Sequence, residues 1–405
     1  MFRDSSPENR AKNLKILFLA LSFYFVFAVS NVSYLLPLYY ADIGYDAKTA
    51  GWLVSVFYLA SVTSRLFLAN AVTSFGFRNI FLVAGVLSVV SSVGIAVSGL
   101  AFWPALLFRV TLGVCAALFQ IGLATYQAVA FKENERGNAF SLIMAGGLAP
   151  MMTAVPLADW LLHHGFSKLY ILLPLALSVG AACITPAIPG LKETKLASIN
   201  GQKSVNPLLG VAACWRLPFF RLALFSMLLF TMIDATCAFM SPMTNSFGLM
   251  ASYFLSFNAI VGVCIRLFFG KLLDRFPRWL LSTPILLLMS ALLFLATISP
   301  TEKRLIILGL CFGVGMGFGF PLNLALVSDA VTYELQPYAV AVSWFVMGLN
   351  FALIPMLMGW LSNLTGPVVA FRCISGFIFI GSVFLGFLWF RRWKARKNGD
   401  FLLSE

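Results

Sequence analysis

Apolar runs of about 20 residues, the length a helix needs to cross the hydrocarbon core of a bilayer, recur from one end of this chain to the other. They decide the solvent before they decide the fold. Sixty per cent of the 405 residues are hydrophobic, 40 are Phe and only 11 per cent are charged, which is not the composition of a soluble globule of this length. The runs lie at 15–40, 51–71, 80–100, 103–130, 137–162, 169–188, 219–245, 251–272, 280–299, 305–328, 338–362 and 371–390, here called spans 1 to 12. The reading is an all-α membrane protein with 12 transmembrane helices: a six-helix half over 1–188, a polar link over 189–216 and a second six-helix half over 217–405. The link is rich in Gly, Asn, Ser, Pro and Lys, as a flexible connection is.

An internal repeat supports the two halves. Arg65-Leu-Phe-Leu-Ala-Asn-Ala-Val-Thr-Ser-Phe-Gly-Phe77 after span 2 is echoed by Arg266-Leu-Phe-Phe-Gly-Lys-Leu-Leu-Asp-Arg-Phe-Pro-Arg278 after span 8. The offset, 266 − 65 = 201 residues, is half the chain, and the flanking apolar runs correspond. With both termini cytoplasmic, 22 of the 28 Lys and Arg fall on the inner side and five on the outer, Arg109 lying within span 4. The positive-inside rule therefore sets the orientation, and the net charge of +13 is a topology signal that does not call for nucleic acid. The polar, basic start is followed by an apolar run too long for a cleavable signal peptide. The expected location is the inner (cytoplasmic) membrane, as a multi-pass protein. Seven scattered Cys show neither disulfide framework nor metal-ligand spacing, so neither metal nor cofactor is expected.

These features resemble the major facilitator superfamily over nearly the full length. The turn between the second and third helices of that family runs Gly-x-x-x-Asp-Arg-x-Gly-Arg. Here the second half keeps Gly270, Asp274, Arg275 and Arg278, with Pro277 in place of a glycine, whereas the first half has Ala69 and Thr73 at the glycine and acid positions. The resemblance implies a cytoplasmic gate at Gly270, Asp274, Arg275 and Arg278, the acid pairing with basic residues and helix ends; the same cations also serve as plain topology anchors. Arg109-Val-Thr-Leu-Gly113 in span 4 and Gly146-Gly-Leu-Ala-Pro150 in span 5 are similar to motifs of proton-coupled members and antiporters, with substitutions. Within the superfamily the nearest likeness is to exporters of opine-type metallophores, the staphylopine group.

Ionisable groups deep in a membrane are costly and mark function by default. Arg109 lies about six residues, ~9 Å, from the outer end of span 4, and Asp234 about ten residues, ~15 Å, from that of span 7. The expectation is that Asp234 is the proton-coupling or substrate carboxylate and Arg109 its electrostatic partner; a permanent ion pair fixing helix packing is the plain alternative. Asn31, Tyr34, Gln120 and Asn350 are the expected cavity residues, an interhelical hydrogen bond being the competing role for each amide. The glycines 309–319 before Pro321 suit close helix packing more than a hinge, and His163-His164 reads as a solvated loop pair.

No nucleophile–base set and no phosphate loop appears, so neither an enzyme nor an ATP-driven pump is expected. What remains is secondary active transport by alternating access: a proton-coupled exporter, working as a monomer, of a small amphipathic or metal-chelating molecule. A proton-linked importer of a polar nutrient and a lipid flippase are the alternatives.

Overall fold

The computed structural model describes residues 7–68, 75–130, 143–188, 207–269 and 277–397, and among them there is helix and no strand. In chain order the helices are α1 (Pro7–Val32), α2 (Leu36–Asp42), α3 (Ala47–Leu68), α4 (Phe77–Ser98), α5 (Phe102–Ala130), α6 (Ala154–His163), α7 (Ser167–Ile184), α8 (Pro207–Arg216), α9 (Pro218–Cys237), α10 (Met240–Asn245), α11 (Ser252–Cys264), α12 (Arg278–Leu295), α13 (Glu302–Asp329), α14 (Gln336–Thr365) and α15 (Pro367–Lys397). Ten described helices are long and apolar enough to cross a membrane. The expected spans 2 and 5 are represented by α3 and by the helical run 143–148 with α6, each adjoining residues outside the description. Of the expected gate, Gly270, Asp274 and Arg275 lie outside the described residues, as does 189–206 of the expected link.

Local chemistry sets the helix ends. Thr301 caps α13, its hydroxyl accepting from the Arg304 amide at 3.3 Å, and Glu302 adds an acid to the first turn. Gly366, at φ 84°, takes the left-handed conformation that ends α14, and Pro367 then starts α15.

The chain contacts form two compact units, 1–46 with 56–202 and 47–55 with 203–405. Within the first, α4 packs on α5 and α7, and α1 packs on α5, α6 and α7. Within the second, α12 packs on α13 and α15, and α9 packs on α13, α14 and α15. These are the same five pairings of spans in each unit. Small residues allow a sixth. A side chain at Gly113 of α5 would strike the Phe57 carbonyl of α3, and one at Gly313 of α13 would come within 2.6 Å of the Asn258 carbonyl of α11. The carbonyls are 258 − 57 = 201 residues apart and the glycines 313 − 113 = 200, so the contact recurs within one residue of the repeat offset. Gly309, Gly313 and Gly317 of α13 thus form a packing face against span 8: an added Cβ would come within 2.6 Å of the Phe254 carbonyl at Gly309 and within 2.7 Å of Ile265 at Gly317. α13 runs unbroken through Pro321.

Among the described residues three spans are interrupted, each in or next to polar or proline-bearing sequence. Span 1 passes through a 3-10 turn, Ser33–Leu35, between α1 and α2. Span 5 has one at Ala149–Met152, around Pro150, and regains α-helix at Ala154. Span 7 breaks at Ala238–Phe239, between α9 and α10. Span 8 ends in a π-helical turn, Ile265–Phe269.

The glycine face predicts a position-specific cost. Gly309→Ala and Gly313→Ala should each lower stability by about 1–3 kcal/mol through overpacking. Gly376→Ala, where an added Cβ meets nothing within 4 Å, should be neutral. Thermal unfolding of the detergent-purified protein checks this; equal midpoints for all three would contradict the packing role.

Candidate functional site

In the first unit the site is a buried cation enclosed by aromatic rings. Arg109 on α5 is only 2 % exposed, so no solute reaches it in this conformation. Its guanidinium donates to the Ser33 hydroxyl at 3.1 Å and lies 4.7 Å from the centre of the Phe57 ring. Ser33 belongs to the 3-10 turn in span 1, and its hydroxyl also donates to the Val29 carbonyl at 3.0 Å. Tyr40, Tyr58 and Tyr170 are the titratable groups that act on the charge. Tyr170 donates to the Val32 carbonyl at 3.0 Å, at the end of α1, and its ring packs 5.4 Å from Tyr39. Arg109 therefore holds the broken span 1 against spans 2, 4 and 6.

Beside this cluster lies an acid that the sequence reading omits. Asp159 on α6 is fully buried, its Oδ1 3.2 Å from Nδ1 of His163 one turn on. The Asp-x-x-x-His spacing on one helix face is the signal that could have found it. The expectation of a solvated histidine pair is corrected in part. His163 is mostly buried against Asp159, while His164 stacks on Trp160 with ring centres 4.4 Å apart.

In the second unit Asp234 is half-buried on α9, three residues before that helix ends at Cys237. The cation acting on it is Arg266. On sequence Arg266 is an orientation anchor at a helix end. In the structure it stands in the π turn at the foot of α11, half-buried, donating to the Met316 carbonyl of α13 at 3.2 Å. The extra residue in that turn changes the direction in which the side chain leaves the helix, and π turns are frequent at functional positions. The repeat partner Arg65 behaves alike: its guanidinium donates to the Gln120 side chain of α5. Each unit thus ties its second span to its fourth through the arginine that opens the repeated turn.

The other expected cavity residues, and two further amides in the spans, Asn258 and Asn323, separate by their partners. Asn350 on α14 donates to the Leu228 carbonyl at 3.0 Å and the Thr231 hydroxyl at 2.6 Å, both on α9. Asn323 of α13 accepts from the Ser226 hydroxyl at 2.5 Å and donates to the Gly319 carbonyl. Both amides anchor the helix that carries Asp234. Asn31 is buried on α1 just before the break and Tyr34 is buried within it. Asn258 keeps a buried side-chain oxygen without a hydrogen-bond donor among the described residues. From the expected gate, Arg278 pairs with Asp329 across the ends of α12 and α13.

Broken, apolar spans packed in a duplicated pattern, with few charges held inside them, define a multi-pass membrane transporter. The family model of the Major Facilitator Superfamily matches residues 16–350, and the chain belongs to that superfamily. Its fold is similar to a crystal structure of the nucleoside transporter NupG, with TM-score 0.72 and 15 % identity over 92 % of this chain and 98 % of that one. It is also similar to a crystal structure of the peptide transporter POT in complex with sulfate, with TM-score 0.68 and 15 % identity over 93 % and 94 %. A POT family transporter in complex with 5-aminolevulinic acid matches at TM-score 0.67 and 13 % identity over 92 % and 95 %.

Asn350→Ala should cost about 1–3 kcal/mol of stability, because it strands polar groups on α9. Asn31→Ala, at a residue with no such tie among the described residues, should leave stability within about 0.5 kcal/mol and lower substrate affinity. Unfolding midpoints and ligand-dependent thermal shifts, measured on the same preparations, check both.

Proposed function

We propose that this superfamily member is a proton-coupled secondary transporter in which Asp234 is the coupling carboxylate, Arg266 the cation that balances it, and Arg109 the residue that holds span 1 in place. The observation that carries the reading is the half-buried Asp234, one turn before the break in span 7, with Arg266 of the π turn in the same unit as the cation that acts on it. Broken spans near a carboxylate are where transporters of this architecture place substrate and coupling ions. A carboxylate there is neutral when protonated and negative when not, so its charge state would act on span 8 through the field at Arg266. The two six-helix halves, 1–188 and 217–405, would rock about this region, with Gly270, Asp274, Arg275 and Arg278 latching the cytoplasmic side. Both termini are placed inside, in the cytoplasmic membrane, and the monomer is the working unit.

Export of a small amphipathic or metal-chelating molecule is the direction we favour, supported by the interruption of span 5 at Pro150, within the sequence similar to the antiporter motif. Proton-linked import of a polar nutrient is the second reading. It draws support from a fold shared with transporters of nucleosides and peptides.

Metabolite profiling of a strain lacking the gene separates the two: an exporter's substrate builds up inside, an importer's is depleted. Asp234→Asn should sit in the membrane at wild-type levels yet fail to restore the profile, with gradient-driven transport in vesicles reduced by at least about tenfold, below the range of what positioned proton transfer contributes. Full gradient-driven activity in that variant rejects the coupling role.

A further inference from the structure

We infer that the inner end of the second unit holds an anionic phospholipid by its headgroup. Phe219 at the start of α9, Trp279 at the start of α12, and Trp389, Arg392 and Trp393 near the end of α15 line a pocket of about 60 Å³. The Trp389 ring packs against two others, 5.3 Å from Phe219 and 6.2 Å from Trp279 between ring centres. It is 4 % exposed, and its indole Nε1–H has no acceptor among the described residues. A buried donor left unpaired carries the full desolvation cost of an unmade hydrogen bond, so this pocket is built for an acceptor. The second polar group is Arg392, whose guanidinium stacks 5.0 Å from the centre of the Phe219 ring. None of the lining residues is acidic, and Arg391 and Lys394 stand exposed beside it. A donor and a guanidinium together select an anionic oxygen, a phosphodiester above all.

The surroundings make that phosphate a lipid's. Phe384, Phe387 and Phe390 are exposed along the same helix, an apolar lane suited to an acyl chain. The end of α15 with Arg391, Arg392, Lys394, Arg396 and Lys397 is by the positive-inside rule the cytoplasmic one, where anionic lipids gather. An ordinary interfacial belt of Trp and Arg anchors a helix with its indole N–H turned to water. Trp389 is buried instead, and a belt leaves its unpaired N–H unexplained. The inference does not depend on what the protein carries.

Native mass spectrometry of the full chain in detergent tests it, with phosphatidylglycerol and phosphatidylcholine of equal acyl length as probes. The wild type should retain one phosphatidylglycerol with about tenfold preference, equivalent to about 1.4 kcal/mol. Trp389→Phe keeps the ring and removes the N–H; Arg392→Gln removes the charge and keeps all three indoles. Each should cut that preference several-fold, while Lys303→Gln, at the start of α13, leaves it unchanged. Wild-type retention by both Trp389→Phe and Arg392→Gln overturns the site. Displacement of the lipid by an equal concentration of soluble glycerol phosphate would assign the pocket to a free phosphate and overturn the lipid.

Discussion

A charge in hydrocarbon must be answered nearby, and that demand organises both units of this protein. Arg65 meets Gln120, Arg109 meets Ser33 and the face of Phe57, and Arg266 meets the Met316 carbonyl and the field of Asp234. Each cation finds these partners within its own unit, while the Nε–H groups of Arg65 and Arg266 keep no acceptor among the described residues. To bring these groups together, spans 2 and 4, and likewise 8 and 10, must approach backbone to backbone. The glycines at 113, 309, 313 and 317 allow it. The small-residue faces and the buried arginines are two aspects of one solution: the glycines set the approach, and the guanidiniums bind across it.

The units share this frame and differ in what they put inside it. Ser33 and Asp234 are 201 residues apart (234 − 33), the repeat offset, so the second unit carries a carboxylate where the first carries a hydroxyl. Arg109 corresponds to Leu310 at the same offset. In the first unit the buried cation is held against Ser33 and the ring of Phe57. The second leaves a half-buried acid near a helix break.

The membrane class, the helical architecture and most spans are legible in the sequence, because hydrocarbon allows few alternatives to a long apolar helix. The role of Arg266 is not. Its position after an apolar run matches that of an anchoring cation, and nothing in the local sequence announces a π turn. Asn350 illustrates a second limit. An amide in a membrane helix needs a partner, but whether that partner is Thr231 or a solute depends on which face meets α9, and span 11 is apolar nearly all round. Asp159 is hidden by the loop-like Gly165 that follows the histidine pair, which makes the end of span 5 look more exposed than it is.

The electrostatic link between Asp234 and Arg266 is the claim on which the rest turns, and a double-mutant cycle measures it directly. Unfolding free energies would be compared for the wild type, Asp234→Asn, Arg266→Gln and the double variant, all in one detergent. The account predicts a coupling energy of about 0.5–3 kcal/mol, the range for residues that interact. Strict additivity of the two single changes would contradict it.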